Sequence, residues 1–208
     1  MDLDELWTEI DAQRNRLCDL LAELDEADWE VASLCDDWRI RDVAAHLTLQ
    51  QAGLRDVLGM MRADPGSALR GDMNAMIMNA AWRRAATRSG GSVAAIRGTV
   101  GSRRHNLGVT PRETLIDICV HSQDIAIPLH RDLPLTATAA VAVADRVWSR
   151  GWPWYPAKRL RGHRFVATDV DWAVGAGSEV RGPIQSILLL LTGREAAATQ
   201  LIGWPGVR

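Results

Sequence analysis

Apolar residues recur at a helical period of about 3.6 residues through roughly the first 130 positions, and this pattern constrains the fold most strongly. The first such segment is 2–24. Further helices are predicted from about Trp38 to Met61, over 72–88, and over 92–104 after a break at Ser89-Gly90-Gly91. Each of these helices has one apolar face that must pack against a neighbour.

The clearest helix start in the chain is Thr110-Pro111-Arg112-Glu113. It combines an N-cap residue, a proline at the first helical position and the carboxylate of a capping box. This helix is predicted to run to about Ile127 and to stop before Pro128. Amphipathic helices at this density favour an antiparallel four-helix bundle, which we place at residues 1–133.

Beyond Pro134 the pattern changes from helical to mixed. A helix is predicted from Thr136 to Ser149, and an apolar helix opens at Gly182-Pro183 and runs through Leu191. Between them lie predicted short strands at 164–168, 170–174 and 179–181. The prediction is therefore a mainly α protein, with a small α+β C-terminal domain at 134–208.

Composition excludes several classes of function. Net charge is −2 with both signs intermixed over 208 residues, which argues against a nucleic-acid partner. The acidic N-terminus has no secretory hydrophobic region, and the longest apolar run, Ile187 to Leu191, is too short to span a bilayer. Three cysteines, an odd number and far apart, argue against a disulfide framework. We expect a cytoplasmic protein without membrane contact.

Three side chains have the chemistry of an open metal site: His46, Asp117 and His121. Asp117 and His121 are four residues apart on one predicted helix, so their side chains share a face. Asp117 interrupts an otherwise apolar stretch, where a carboxylate is costly unless it is paired or bound to metal. Two imidazoles and a carboxylate leave coordination positions free for a substrate or water.

Each of these residues also has a simpler interpretation. His46 alone is typical of a hydrogen-bonded core histidine, and Asp117 with His121 is typical of a helix side-chain pair. Asp124 lies one turn further along and would either orient a ligating imidazole, cap the helix end or pair with Arg131. Gln50 would either donate a hydrogen bond to a substrate or metal-bound water, or lie at the rim.

The remaining distinctive residues have structural interpretations. We interpret all three cysteines as small core hydrophobes: Cys18, Cys35 and Cys119. Three further histidines are predicted to be solvated: His105, His130 and His163. Trp38 is expected to anchor the start of the His46 helix, and two loop tryptophans would wall a pocket or cover the core: Trp152 and Trp154.

Several segments resemble one known family. The run from Cys35 to Leu47, containing Trp38, Asp42-Val43 and His46-Leu47, resembles a motif of DinB-like proteins. More closely, it resembles the mycothiol-dependent maleylpyruvate isomerase family, as does the stretch from Glu113 to Asp124. The C-terminal segments 167–172 and 180–194 resemble that family's small second domain, so the resemblance covers almost the whole chain.

The resemblance implies a DinB-like four-helix bundle that binds a divalent metal, usually zinc, through His46, Asp117 and His121. The acidic ligand of the family is commonly Glu, whereas Asp117 is one methylene shorter. The family's C-terminal domain also supplies an arginine to the active site. Arg194 is the best candidate and Arg181 the second, although an arginine after a helix often only satisfies its carbonyls.

The expected function is that of a metal-dependent enzyme using a low-molecular-weight thiol, mycothiol in an actinobacterium. It would isomerise a small electrophile such as maleylpyruvate or transfer sulfur to it, acting as a monomer or homodimer. The resemblance implies no protein nucleophile, consistent with the lack of a recognisable Ser or Cys catalytic motif. The alternatives are a non-catalytic DinB-like metal sensor or interaction protein, and a bundle whose metal site has decayed.

Overall fold

The computed structural model describes residues 1–86, 89–151 and 153–206, so the prediction made for Trp152 lies outside the described residues. Contacts divide the chain into two compact units. The N-terminal unit is Leu3–Leu133, and the C-terminal unit is Pro134–Arg208 together with Met1–Asp2.

The N-terminal unit is a helical bundle in which α1 packs against α6 and α7, and α2 packs against α5, α6 and α7. A short 3-10 turn at Asp28–Glu30 follows α1. The helices are α1 (Leu3–Ala22), α2 (Ile40–Leu47), α3 (Leu54–Ala63), α4 (Pro65–Arg70), α5 (Met73–Ala85), α6 (Ser89–Arg97) and α7 (Pro111–Ala126).

The single helix predicted from Trp38 to Met61 is wrong, because the chain forms α2 and α3 with a tight turn between them. After Leu47 the backbone tightens, and the Leu49 N–H donates to the His46 carbonyl at 2.8 Å. The α3 helix then begins at Leu54, and the N–H of its N-cap residue, Gly53, donates to the Asp56 carboxylate at 2.9 Å. The side-chain carboxylate replaces a helical acceptor at this new start.

The predicted end of this helix near Met61 agrees with the structure, since α3 ends at Ala63. Asp64 is both the C-cap of α3 and the N-cap of α4, where it accepts a hydrogen bond from the Ser67 N–H at 3.1 Å. The predicted break at 89–91 is wrong, since α6 begins at Ser89.

The α7 helix follows its prediction closely. It begins at Pro111 and ends at Ala126, with Ile127 as its C-cap residue. The Thr110 N–H donates to the Glu113 carboxylate at 3.0 Å. Apolar side chains on both sides of Asp117, such as Leu115 and Ile118, are buried. The candidate metal ligands of this helix therefore lie on a rigid, well-packed element.

The C-terminal unit combines a small three-stranded sheet with helices. The β1 strand is central; it pairs antiparallel with β2 and parallel with β3. The α10 helix packs against α8 and β1. The elements are α8 (Ala137–Arg150), α9 (Pro156–Arg159), β1 (Gly162–Ala167), β2 (Ala173–Gly175), β3 (Gly177–Gly182), α10 (Ile184–Leu191) and a 3-10 turn at Glu195–Gln200.

The apolar run Ile187 to Leu191 is fully buried on α10 and forms the core of this unit. None of the helices in the described part of the chain is both long and apolar enough to cross a membrane. The predicted fold class, mainly α with a small α+β part, is confirmed, with α9 and the last 3-10 turn as additions.

Candidate metal centre

Packing of α2 against α7 brings the three predicted ligands together. His46 lies in the last turn of α2, and Asp117 and His121 lie one turn apart on α7. The Oδ1 atom of Asp117 is 3.2 Å from Nε2 of His46 and 3.4 Å from Nε2 of His121. One ligand atom from each residue thus lies within 4.8 Å of the other two.

These three residues fit a zinc ion by geometry and by chemistry. Ligand atoms about 2.0–2.1 Å from a tetrahedral ion are about 3.3 Å from each other. The two measured distances to Asp117 Oδ1, 3.2 Å and 3.4 Å, match that spacing. The side chains of His46, His121 and Asp117 are 17%, 18% and 29% exposed, so a small molecule can reach them.

Two neighbours fix the orientation of the His121 ring. The buried Asp124 carboxylate lies 2.8 Å from His121 Nδ1 through its Oδ2 atom, and the Cys35 thiol donates to the same oxygen at 3.1 Å. A carboxylate beside Nδ1 favours the tautomer with the proton on that nitrogen. The lone pair of Nε2 then faces Asp117 and His46, as metal binding requires.

Asp124 therefore contacts the ligand candidate, and Arg131 pairs with Glu23 at 3.8 Å. The interpretation of Cys35 as a plain core hydrophobe is wrong, because its half-buried thiol contacts Asp124 and lies 3.6 Å from His121 Nδ1. No sequence signal placed Cys35 here, since it lies in an irregular segment before α2.

Gln50 does not lie at the rim of the site, one of the two roles predicted for it, and its donation to a substrate or metal-bound water stays a prediction. It is buried, and its Nε2 donates to Asp117 Oδ2 at 2.8 Å, which leaves Oδ1 to face the imidazoles. Behind it lies Arg14, a fully buried residue of α1 that sequence analysis missed. The available signal was a charged residue on the apolar face of α1, one turn after Ile10.

The electrostatics of the cluster favour a bound cation. Burial alone would raise the pKa of Asp117, but His46, His121 and Gln50 hold it well below its usual range. Burial alone would lower the pKa of His121, but hydrogen bonds with Asp124 and Cys35 and the charge of Asp117 raise it to about 10. Both carboxylates thus stabilise positive charge between the helices, whether carried by protons or by metal.

The Trp38 ring packs edge-on against His46, with the ring centroids 5.4 Å apart. This contact agrees with the anchoring role expected for Trp38 and restricts rotation of the His46 imidazole. The Nδ1 atom of His46 is buried, and no hydrogen-bond partner for it lies among the described residues.

The two arginines proposed from the C-terminal segment make local contacts. Arg194 follows α10 and donates from Nη1 to the Thr192 carbonyl at 2.7 Å, as a helix-capping arginine does. Arg181 pairs with Glu179 at 2.8 Å. A role for Arg194 in catalysis stays a prediction.

Among the other residues singled out from the sequence, Cys18 and Cys119 are buried, and burial raises the pKa of Cys119 to about 12. Both behave as core hydrophobes. His105 and His130 are exposed as expected, but His163 is half-buried against Trp204, with ring centroids 5.1 Å apart. The prediction of a solvated His163 is therefore wrong.

The fold and site define a helical-bundle protein with a His-Asp-His cluster suited to a divalent metal. A sequence profile of the mycothiol maleylpyruvate isomerase N-terminal domain matches residues 10–126, more than half of the chain. The chain therefore belongs to the mycothiol maleylpyruvate isomerase family.

Solved structures agree with this family assignment. The crystal structure of a mycothiol-dependent maleylpyruvate isomerase matches with a TM-score of 0.60 at 14% identity, covering 100% of this chain and 96% of that chain. A histidine-to-alanine mutant of such an isomerase matches with a TM-score of 0.51 at the same identity and coverage. At this identity the likeness establishes a shared fold. None of the curated protein sequences compared with this chain is significantly similar to it.

Proposed function

We propose that this protein is a metal-dependent enzyme that uses a low-molecular-weight thiol to isomerise a small electrophile or to attach the thiol to it through sulfur (S-transfer). One observation carries the proposal. Three donor atoms from two helices lie within 4.8 Å of one another, and the two distances to Asp117 Oδ1, 3.2 Å and 3.4 Å, match the spacing in a tetrahedral zinc site. The three side chains are also partly accessible to solvent. Membership of the mycothiol maleylpyruvate isomerase family supports the thiol.

In this proposal the metal would be held by Nε2 of His46, Oδ1 of Asp117 and Nε2 of His121. Zinc bound there would lower the pKa of a coordinated thiol, so that the thiol is present as a nucleophilic thiolate near neutral pH. Asp124 keeps the Nδ1 proton of His121 in place. Gln50 holds the second oxygen of Asp117, so a single carboxylate oxygen faces the imidazoles.

The thiol we propose is mycothiol, and the electrophile is an unsaturated compound such as maleylpyruvate. The thiolate sulfur would add to one carbon of the double bond, and the π electron pair would move onto the conjugated carbonyl as an enolate. After rotation about the resulting single bond, the enolate pair would re-form the double bond in the other geometry, and the sulfur would leave as thiolate with the electron pair of the C–S bond. If the enolate instead takes up a proton and the thiol stays bound to carbon, the outcome is S-transfer. Arg194 is proposed to hold a carboxylate of the electrophile.

We further propose a cytoplasmic, actinobacterial protein that acts as a monomer or homodimer, with a small electrophile and a thiol as partners. Size-exclusion chromatography with light scattering measures the oligomeric state.

The metal assignment is tested by elemental analysis of protein purified without chelator. We expect His46→Ala and His121→Ala each to lose most of the bound zinc, because each removes one of three ligands. Cys119→Ala is the control, since Cys119 is buried on α7 away from the cluster, and it should keep its zinc. Full zinc content in both histidine variants would refute the assignment.

The catalytic assignment is tested by incubating zinc-loaded protein with mycothiol and maleylpyruvate, then with a panel of other electrophiles. Product geometry is followed by NMR and free thiol by colorimetric titration. Isomerised product with constant thiol indicates isomerisation, and loss of thiol indicates S-transfer. Zinc binding without either result would favour the non-catalytic sensor or interaction protein.

A further inference from the structure

We infer that Arg14 and Gln50 are positioning residues that hold Asp117 in the orientation needed to bind metal through a single oxygen. The inference rests on the proposed metal site and deepens it. It concerns two residues for which the sequence suggested no such role, and it is argued from three consecutive contacts.

The first contact anchors Arg14. Its side chain is 0% exposed, and a buried guanidinium is costly unless its donors are satisfied. Nη1 donates to Asp11 Oδ1 at 3.3 Å and to the Thr99 carbonyl at 3.1 Å. Arg14 is therefore held between its own helix and the chain that follows α6, which leaves little freedom for the guanidinium plane.

The second contact orients Gln50. Nε and Nη2 of Arg14 both donate to Gln50 Oε1, at 3.4 Å and 3.2 Å. A guanidinium has donors and no acceptor, so the oxygen of the Gln50 amide must face Arg14. The amide NH₂ is then forced to the opposite side. The contacts with Arg14 therefore identify which end of the Gln50 amide is the oxygen and which is the NH₂ group, an assignment that geometry alone often leaves open.

The third contact reaches the metal site. Gln50 Nε2 donates to Asp117 Oδ2 at 2.8 Å, while Asp117 Oδ1 faces the two imidazoles. With Oδ2 held, the carboxylate presents one oxygen at a fixed angle and does not chelate through both. Asp is shorter than Glu and has fewer rotatable bonds, so one hydrogen bond is enough to fix it.

The test compares zinc affinity and the visible spectrum of Co(II)-substituted protein in matched variants. Gln50→Met keeps the side-chain size but removes the donor to Asp117. We expect zinc affinity, measured by competition with a chromophoric chelator, to fall by roughly 10- to 100-fold. The Co(II) bands should also change, because the carboxylate becomes free to shift. These measurements require no substrate.

Gln51→Met is the matched control. Gln51 is the adjacent residue, and its amide is hydrogen-bonded to Thr99 and Ser102, so affinity and spectrum should match the wild type. Arg14→Lys is a milder second variant that keeps the buried charge but replaces the two-pronged contact to Gln50 Oε1. It should weaken zinc binding less than Gln50→Met does.

Far-UV circular dichroism and thermal unfolding establish which variants are folded. If Gln50→Met does not fold, Arg14→Lys decides the question. Folded variants that keep the wild-type affinity and the wild-type Co(II) spectrum would overturn the inference. If the wild-type protein itself binds no zinc, the proposed function fails instead, so the two failures are distinguishable.

Discussion

At the scale of single residues, the candidate site depends on contacts that set the direction of each ligand atom: hydrogen bonds for Asp117 and His121, and ring packing for His46. Asp124 is hydrogen-bonded to Nδ1 of His121, and Gln50 is hydrogen-bonded to Oδ2 of Asp117. In both cases the bonded atom faces away from the cluster, and fixing it orients the ligand atom on the other side. Packing of Trp38 serves a similar purpose for His46. Ligand direction affects metal affinity because a misaligned lone pair loses much of its bond to the ion.

Asp124→Asn tests this at the His121 side of the site. The amide keeps the shape of the carboxylate but removes the negative charge next to Nδ1, which makes the imidazole a weaker ligand. We expect zinc affinity to fall about 10-fold, again measured by chelator competition. The same change at the exposed Asp132 should leave affinity unaltered. Equal affinities in the two variants would show that Asp124 does not support His121.

The sequence predicts which residues come together where chemistry and helical spacing coincide. Asp117 and His121 were recognisable as a pair because a carboxylate in an apolar stretch lay one turn from an imidazole. The contacts of Cys35 with Asp124 and of Gln50 with Asp117 were not predicted, because the positions of Cys35 and Gln50 depend on irregular backbone before and after α2. Arg14 lies on a regular helix, but apart from Asp11 its partners Gln50 and Thr99 are 36 and 85 positions away, and no local pattern predicts them.

At the scale of elements, α7 contributes two of the three candidate ligands, and its beginning is defined by a local motif. The Thr110 N–H is satisfied by the Glu113 carboxylate, and Pro111 occupies a position where no N–H is needed. These interactions are local in sequence, which is why the α7 start was predicted correctly. The end of α2 was missed because it depends on a turn at 48–53 without glycine or proline until Gly53.

Glu113→Ala tests the capping box. Removal of the carboxylate leaves the Thr110 N–H without its partner, and we expect the free energy of unfolding to fall by about 1 kcal/mol. Urea denaturation followed by circular dichroism measures this change. Arg112→Ala alters the adjacent, exposed residue of the same helical turn and should change stability by less than about 0.5 kcal/mol. Equal losses in both variants would argue against the motif.

At the scale of the whole molecule, the candidate ligands come from two helices that are distant in sequence. His46 on α2 and Asp117 on α7 are 71 positions apart. A metal bound by both helices would join α2 to α7 in the folded protein only. The unfolded chain cannot bring these residues together without a large loss of conformational entropy. Metal binding by these residues would therefore be coupled to folding of the N-terminal unit.

Removal of the metal is expected to lower thermal stability for this reason. A ligand that binds only the folded state stabilises it by about 2.7 kcal/mol at a free concentration one hundred times its Kd. For a chain of this size that corresponds to a rise in Tm of roughly 5–10 °C. Differential scanning calorimetry of zinc-loaded and chelator-treated protein measures the difference. His46→Ala should show almost no zinc-dependent shift, because it lacks the ligand from α2. Loss of zinc without any change in wild-type Tm would mean that the ion does not join the two helices.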